Sequence, residues 1–546
     1  MAVNLASLRR RYRTQKTLRA PIEPTWDEIE KFMGPVSEAG TTHGQPGQGQ
    51  ALSDRSDVWD FTAIDGREKL ASSIHGSVTS PSVRWFLMNY RKSTLNRDVE
   101  AKSWLDTEAE DIWNDLQDSD FDVEIGTSYF ELSGPGACFL SIEPNPGTVD
   151  PKTLTESWEG VDFTNIPLRE GYFEPDRKGQ VKVFWRRHMW TCGQIIDWCE
   201  VKGVEVPQDI AEAQEKGDET LHEIVFCVFP RPEIQKRKSL RYPAAPNQRP
   251  WGCVWWREDT GAQLGEESGY YEKPVYFCRW SKTAGSKWGH GPGNIALPTV
   301  RYLNAWMETY KTAGEKAVDP PILANERDLI GNVDLTPGGL TPCRDINGFK
   351  ALESQSRFDV AEAIINNLQS QVRSLFRTDD LQLKESPAMT ATEVQVRYEL
   401  MNRILGKTLT FIQRDLLAPV ITTILHMRIR LRVAAPMPKQ VKAAGGVYNI
   451  EYQGPLARSQ RTDEVAAIER GAAFVAGLAQ FYPKARAAFD PIKAIKHVFN
   501  RLGVPSDVMP TDAEMQKAVE AMDEQERRAI AAETEPAQAM WLFFMR

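Results

Sequence analysis

Residues 291–304 read GPGNIALPTVRYLN, and residues 315–323 read EKAVDPPIL. Between residues 296 and 317, apolar side chains recur at steps of three and four, which predicts an amphipathic helix. Pro298 lies in the first turn of this predicted helix, where its missing N–H is tolerated. Asp319-Pro320-Pro321 should end the helix, because the residue before a proline is driven out of the α region.

A second helix is predicted over residues 357–377, where the apolar positions follow a near-heptad spacing and the opposite face is polar. Residues 320–352, between the two helices, contain glycine and proline turns and indicate a small strand-and-turn module. Residues 378–389 are predicted to be a loop. This half of the chain is therefore expected to run from helix to small β module, then to helix and loop.

A third helix is predicted to start at Thr390. Thr390-Ala391-Thr392-Glu393 is a capping box, in which the hydroxyl and the carboxylate each accept a hydrogen bond from an unpaired N–H. The apolar stripe continues for roughly 38 residues, about 57 Å at 1.5 Å per residue. Pro419 should kink this helix, because it removes one ladder hydrogen bond and clashes with the preceding turn.

The N-terminal half begins with helical patterning over residues 25–33, 67–95 and 97–117, and Ser80-Pro81-Ser82 interrupts the second segment. Residues 38–56 offer little to bury and are predicted to form a loop. Trp85, Phe86 and Leu87 are expected to pack in a core.

From about residue 120 to residue 285, short runs rich in Val, Phe, Tyr and Trp alternate with turns and predict strands. The clearest runs are 138–142, 222–229, 251–256 and 273–280. One helix is predicted among them, near 191–202, with Thr191 as its N-cap. Beyond Arg432, a strand is predicted over 447–453, followed by mainly helical segments. The aromatic tail 540–544 should be either buried against a neighbour or disordered.

The 546 residues exceed what one hydrophobic core usually supports, so several modules are expected. The formal net charge is −9, which argues against strong overall affinity for DNA but is compatible with letting DNA slide. The basic run Arg9-Arg10-Arg11-Tyr12-Arg13 is interpreted as a solvated helix face in preference to a nucleic-acid contact. No segment is expected to approach the ~20 apolar residues of a membrane helix.

The seven cysteines form no CxxC pair, and their odd number indicates free, buried thiols in a reducing compartment.

The motif Trp288-Gly289-His290-Gly291-Pro292-Gly293 has the context of a dinucleotide-binding turn, but its spacing is GxGxG and Pro292 lacks an N–H. A tight turn leading into a helix is therefore preferred. Asp379-Asp380 could bind a metal, but adjacent side chains point apart, and a solvated turn is preferred. No GxxxxGK[ST] or GxSxG motif occurs. We therefore expect no enzyme, no metal, no cofactor and no small-molecule substrate.

The stretches 291–304 and 315–323 resemble the head-to-tail connector (portal) family of short-tailed phages. Four further stretches agree in order and spacing. These are Met389-Thr390-Ala391-Thr392-Glu393-Val394 with Arg397, Gly454-Pro455-Leu456-Ala457-Arg458-Ser459-Gln460-Arg461, Arg187 with Thr191 and Gln194, and Ser80-Pro81-Ser82 with Trp85-Phe86. The resemblance covers about residues 75–465.

The resemblance implies an α+β portal fold with wing, stem, clip, tunnel loop, long kinked wing helix and C-terminal helical crown, assembled as a twelve-subunit ring. Transferred to this chain, the regions are wing 1–290, stem helices 291–317 and 357–377, clip 318–356, tunnel loop 378–389, long wing helix 390–432, wing strand and helix 433–480, and crown 481–546.

The implied function is a channel for double-stranded DNA at one capsid vertex, located in the virion and assembled in the host cytoplasm. The implied partners are further copies of the chain, the major capsid protein and scaffold, the large terminase and tail adaptor proteins, with no membrane. The candidate DNA-facing cations are Lys311, Lys316, Arg373, Arg377 and Lys384, for which a solvated face or an intersubunit ion pair is an equal alternative. The implied tunnel loop includes Leu381, Gln382, Leu383, Lys384, Glu385 and Ser386. The implied docking residues of the clip are Asn325, Arg327, Asp328, Arg344 and Asp345.

Two alternatives stay open at this point. One is another ring-forming virion protein, such as a tail adaptor. The other is a nucleic-acid-processing enzyme without a recognised motif. A top view by electron microscopy separates the first from a portal, and nuclease and ATPase assays decide the second.

Overall fold

The computed structural model describes residues 4–34, 57–145, 147, 157–218, 220–236, 242–283, 285–324, 349–351, 357–378, 405–444, 447–452, 468–475, 477, 494 and 498. The chain forms two compact units, Met1–Pro81 with Leu116–Leu431, and Ser82–Asp115 with Arg432–Arg546.

The first unit contains two antiparallel sheets that share a core. One sheet has three strands in the order β3-β2-β9, and the other has five in the order β4-β5-β6-β7-β8. The strands are β2 Ala137–Pro144, β3 Val161–Ile166, β4 Gly171–Pro175, β5 Val181–Trp190, β6 His222–Pro230, β7 Trp251–Arg257, β8 Gln263–Tyr270 and β9 Val275–Arg279. Phe139, Phe173 and Phe277 pack with Trp288 in that core. The four strand runs predicted between residues 120 and 285 are confirmed.

Helices interrupt this region more often than the sequence indicated. Helix α7 (Cys192–Lys202) begins as predicted, with Thr191 and Gln194 forming a reciprocal capping box. Helices α6 (Phe121–Ser133) and α8 (Gln208–Glu215) lie in a region predicted to consist of strands, and that prediction was wrong for them. Two shorter helical turns, α9 (Pro232–Gln235) and a 3-10 turn at Pro246–Gln248, complete it.

The N-terminal helix α1 (Leu5–Arg19) packs on the free face of the five-stranded sheet. Leu8 and Tyr12 enter a cluster with Trp185 and Trp256 of the sheet. The basic residues around them form ion pairs: Arg11 with Glu174, Arg13 with Glu258, Lys16 with Glu223 and Arg19 with Glu23. The interpretation of this run as a solvated face holds only in part. Arg10 and Arg13 are exposed, but Arg11 pairs with a carboxylate on β4, and Arg9 and Arg13 pair with Glu258 just after β7.

Helices α2 (Glu23–Met33) and α3 (Thr62–Val78) follow α1. The long helix α10 spans Pro292–Val318, so Pro298 lies in its second turn, not in the first turn as predicted. The sequence placed the start of this helix too late because Pro292, not Pro298, occupies the tolerated N1 position. Strands β10 (Ile322–Ala324) and β11 (Phe349–Ala351) pair antiparallel, and helix α11 (Phe358–Leu375) returns.

The later part of the third predicted helix is continuous from Leu405 to Leu431, and its predicted start at Thr390 lies outside the described residues. It contains a π-helical turn at Gln413–Leu417, directly before α12 (Ala418–Arg430). The disturbance expected at Pro419 takes the form of this widened turn, because the proline N cannot bond the carbonyl of residue 415.

Among the described residues, this helix alone is long and apolar enough to span a membrane, judged by length and composition. The expectation that no segment would meet that criterion was therefore too strict. More than half of its most apolar segment is buried inside the protein, and a buried core helix meets the same criterion.

The second unit pairs β1 (Phe86–Tyr90) with β12 (Tyr448–Tyr452) in an antiparallel ladder. The strand predicted over 447–453 is confirmed, whereas the helical patterning predicted through residue 95 was wrong. Alternate residues of β1 are buried, as in a half-buried strand. Trp85 and Phe86 are buried as predicted. The helices of this unit are α4 (Ser93–Asn96), α5 (Val99–Gln117), α13 (Lys439–Ala444) and residues 468–475.

Candidate functional site

Helices α10 and α11 pack side by side as an antiparallel hairpin. The Phe358 ring, at the start of α11, meets the Tyr310 ring edge-on at a centroid distance of 5.6 Å. Farther along α11, Gln369 donates a hydrogen bond to Asp60, whose own N–H bonds Asn304 of α10. Residue numbers rise along α11 from Phe358 to Gln369, while those of their neighbours on α10 fall from Tyr310 to Asn304. The two helices therefore run in opposite directions. We call the pair the helical hairpin, its β10–β11 end the tip, and its Asn304 end the root.

Asn304 is the polar centre of the root and is only 3% exposed. Its Oδ1 accepts hydrogen bonds from the backbone N–H groups of Trp59, at 2.6 Å, and Asp60, at 3.0 Å. Its Nδ2 donates to the Val300 carbonyl at 2.9 Å. One amide side chain therefore holds the segment before α3 against α10.

Asp60 extends the same network to two more helices. Its Oδ1 accepts from the Thr62 N–H at 2.9 Å, at the N-terminus of α3, where unpaired N–H groups favour a carboxylate. Its Oδ2 accepts from Gln369 Nε2 at 2.6 Å. Asp60 therefore joins α3, α10 and α11 at one buried point, which fixes the root of the hairpin in the first unit.

The chain enters α10 through a close crossing of two glycine-rich turns. A Cβ added at Gly291 would lie 2.6 Å from the carbonyl oxygen of Gly134. At Gly136, whose φ is +87°, it would lie 2.0 Å from the nitrogen of Gly291. Asn294, in the first turn of α10, donates to the Pro135 carbonyl at 2.8 Å. The motif leads into a helix as predicted, and its glycines are required by backbone contact.

A buried ion pair lies beneath this crossing. The guanidinium of Arg67 in α3 is fully buried, donates to Glu30 Oε1 at 3.0 Å and stacks on the Phe130 ring at 3.8 Å. Burial raises the pKa of neighbouring Glu131 to about 8, and the Glu30 carboxylate adds to the rise. Arg67 therefore ties α3 to α2 and α6.

Four of the five predicted channel cations lie in described residues, and they form two groups. Lys311 and Lys316 are near the tip on α10, whereas Arg373 and Arg377 are near the root, at the end of α11. The hairpin therefore carries two separate positively charged levels.

Lys311 is engaged within the chain. Its Nζ lies 3.9 Å from the centroid of the Trp59 ring and 3.7 Å from Glu315 Oε1. A cation over an indole face is attracted by the ring quadrupole. Lys316 is exposed in the last turn of α10, and Arg377 adopts a φ of 58° just after α11.

Lys384, the tunnel-loop residues 381–386 and the clip residues Asn325, Arg327, Asp328, Arg344 and Asp345 lie outside the described residues, as does the pair Asp379-Asp380. Within the described ranges, no group of three or more His, Cys, Asp or Glu side chains could hold a metal ion. Six cysteines, Cys138, Cys192, Cys199, Cys227, Cys253 and Cys278, are described, and all are free and buried as predicted.

Residues 5–509 match the family model of the bacteriophage head to tail connecting protein, and the chain belongs to that family. The resemblance drawn from the motifs is thereby confirmed. The "Portal protein" of Salmonella phage epsilon15 is 22% identical over 536 residues, covering 96% of this chain and 91% of the relative. The "Probable portal protein" of Bordetella phage BPP-1 is 21% identical over 503 residues, covering 89% and 85%.

A solved structure titled "Neck of native GTA particle computed with C12 symmetry" matches 78% of this chain and 91% of its own, at 10% identity and a TM-score of 0.32. A second, "Virion of native gene transfer agent (GTA) particle", covers 71% and 89% at 12% identity and a TM-score of 0.27. Both scores are too low to support an argument from the arrangement of elements.

The residues of the root were not singled out from the sequence. Asn304, Asp60 and Trp59 had no role assigned from the sequence. One signal was available, because an asparagine on the buried face of a helix needs hydrogen-bond partners. Its partners are 244 and 245 residues away, and no local pattern names them.

Proposed function

We propose that this chain is a portal subunit. Twelve copies form a ring at one capsid vertex, and double-stranded DNA passes through the ring during packaging and ejection. The observation that carries the proposal is the helical hairpin with a strand pair at its tip, in a chain of the head to tail connecting family. The portal names of both relatives support it.

The mechanism follows from repetition around an axis. One cation per subunit becomes a belt of positive charge, and the hairpin offers two levels, one near its tip and one near its root. Lys316, Arg373 and Arg377 are candidates for these belts, and Lys311 is held over Trp59 within the subunit. Sparse belts on a chain with a net charge of −9 suit a channel in which DNA slides without adhering.

The remaining regions take the roles that the family resemblance implies. The clip, 318–356, docks the large terminase during filling and the tail adaptors afterwards, and the tunnel loop, 378–389, resists backward slipping of DNA. The major capsid protein and the scaffold are further partners of the ring. The chain acts in the virion after assembly in the host cytoplasm, and it is a structural protein without catalytic activity of its own.

Deletion of residues 381–388 tests the DNA-handling role. We expect the variant to form rings and capsids like the wild type, because the deletion leaves every residue of the hairpin root in place. Filled particles should lose their genome, which is measured as nuclease-accessible DNA per particle. A matched control removes the eight residues 41–48 of the predicted N-terminal loop. Normal genome retention in the 381–388 deletion, or equal loss in both variants, would refute the role of the loop.

A further inference from the structure

A cavity of about 810 Å³ lies in the first unit, between the turn that joins β8 to β9 and helix α12. Its size is that of a typical ligand pocket. One wall is aromatic, formed by Tyr242, Trp251, Tyr271 and Tyr276. The opposite wall is the helix surface around Pro419.

Most of the charged groups in this cavity already have partners. Arg430 forms two hydrogen bonds of 3.0 Å with the Glu272 carboxylate, and its guanidinium stacks over Tyr271 at 4.4 Å. Arg414, whose side chain is 60% exposed, pairs with Asp415. These two arginines are therefore neutralised before any ligand arrives.

Lys273 is the exception. Among the described residues it makes no ion pair or hydrogen bond, and its Nζ lies 5.3 Å from the centroid of the Tyr276 ring. The carboxylates that act on it at longer range are occupied: Asp176 accepts two backbone N–H groups, and Asp415 accepts from Gln180 and Arg414. Burial lowers the pKa of Lys273 to about 8, and the attraction of Asp176 and Asp415 offsets this effect only in part.

We propose that this cavity receives a carboxylate side chain from a neighbouring copy of the chain, which pairs with Lys273 while its apolar stem lies against the tyrosine rings. The inference rests on the proposed ring. It adds an intersubunit contact that the ring model alone does not supply.

The chemistry of the cavity selects a carboxylate. A phosphate would need several donors, and Arg430 cannot supply them without leaving Glu272. A single ammonium beside aromatic walls instead matches one negative charge on an apolar stem. The chain offers many such side chains, since it has 75 Asp and Glu residues against 66 Lys and Arg. In a closed ring the adjacent copy is always present. Its excess of carboxylates is complementary in charge to the Lys273 ammonium.

Lys273→Met gives the test, because it separates folding from association. The variant removes a half-buried ammonium that has no ion-pair partner among the described residues, so the isolated subunit should be as stable as the wild type or more stable. Its rings should dissociate at a protein concentration roughly tenfold to a hundredfold higher, the loss expected for a hydrogen bond to a charged group. Lys178→Met, at an exposed lysine outside the cavity, is the matched control, and Lys273→Arg should restore part of the assembly. Mass photometry over a dilution series measures the ring fraction.

A second measurement identifies the occupant. Rings are assembled from an equal mixture of ¹⁵N-labelled and unlabelled chains and treated with a carbodiimide, which joins an amine to a carboxylate in contact. Peptides that link Lys273 across the two labels are the expected result. Links confined to chains of one label, or Lys273→Met rings as stable as wild-type rings, would overturn the proposal and leave the cavity to another virion protein. If the wild-type chain forms no rings at all, the proposed function itself fails, which is a different outcome.

Discussion

Replacing Asn304 by alanine removes the acceptor that holds residues 59 and 60 on helix α10. Two backbone N–H groups, at 2.6 and 3.0 Å from Oδ1, lose their partner in a place where Asn304 is only 3% exposed. Each unsatisfied buried group costs about 1–3 kcal/mol, and these contributions are not fully additive. We therefore expect local opening of the root to become easier by about 3 kcal/mol, which corresponds to roughly a hundredfold in the opening equilibrium.

Amide hydrogen exchange followed by mass spectrometry measures this change in peptides that cover residues 57–62. Exchange in this segment should be roughly a hundredfold faster in Asn304→Ala than in the wild type. Thr309→Ala is the matched control on the same helix. The Thr309 hydroxyl is exposed and bonds only the Ala305 carbonyl, so its loss should change stability by less than about 0.5 kcal/mol. Unchanged exchange at 57–62 in Asn304→Ala would refute the role given to the root.

Three further predictions concern the scaffold around the hairpin. The folded state keeps a proton on Glu131 up to a pKa of about 8, so the free energy of unfolding should fall as the pH rises from about 4.5 to 8. Glu131→Gln should remove on the order of a few kcal/mol of that fall. Melting temperatures at pH 5 and pH 9 measure the difference. Gly291→Ala should destabilise the protein by about 1–3 kcal/mol or more, because the new Cβ would meet the Gly134 carbonyl. Gly126→Ala is the control, and it should be neutral or stabilising because the space around Gly126 is open. Equal denaturation midpoints for the two variants would contradict the backbone crossing. Thr191→Ala should cost about 1 kcal/mol and speed amide exchange in the first turn of α7 only, and protection there that matches the wild type would count against the capping box.

The parts of the fold that the sequence predicted are those with a local, periodic signal. Helices α10 and α11 and strand β12 were found from apolar spacing, with errors of a few residues at their ends. Helix α7 was found with Thr191 as its N-cap, and the structure adds the reciprocal bond of Gln194. Each of these signals lies within one element, so a single sequence is enough to detect it.

The parts that were missed depend on distant partners or on mixed patterns. Strand β1 was assigned to a helix, and its partner β12 lies about 360 residues farther along the chain. The basic face of α1 was assigned to solvent, although its carboxylate partners include residues of β4 and β6 and Glu258 just after β7. The root network at Asn304 joins side chain to backbone across more than 240 residues, and no local periodicity records such contacts.

The proposed role as a portal subunit depends on a ring, and the most direct measurement is an averaged top view of the purified chain by electron microscopy. We predict a twelve-fold ring with an axial bore just wider than duplex DNA and, in side view, a stem that narrows to a clip. Monomers, an open filament, or a ring whose bore cannot admit a duplex would contradict the account.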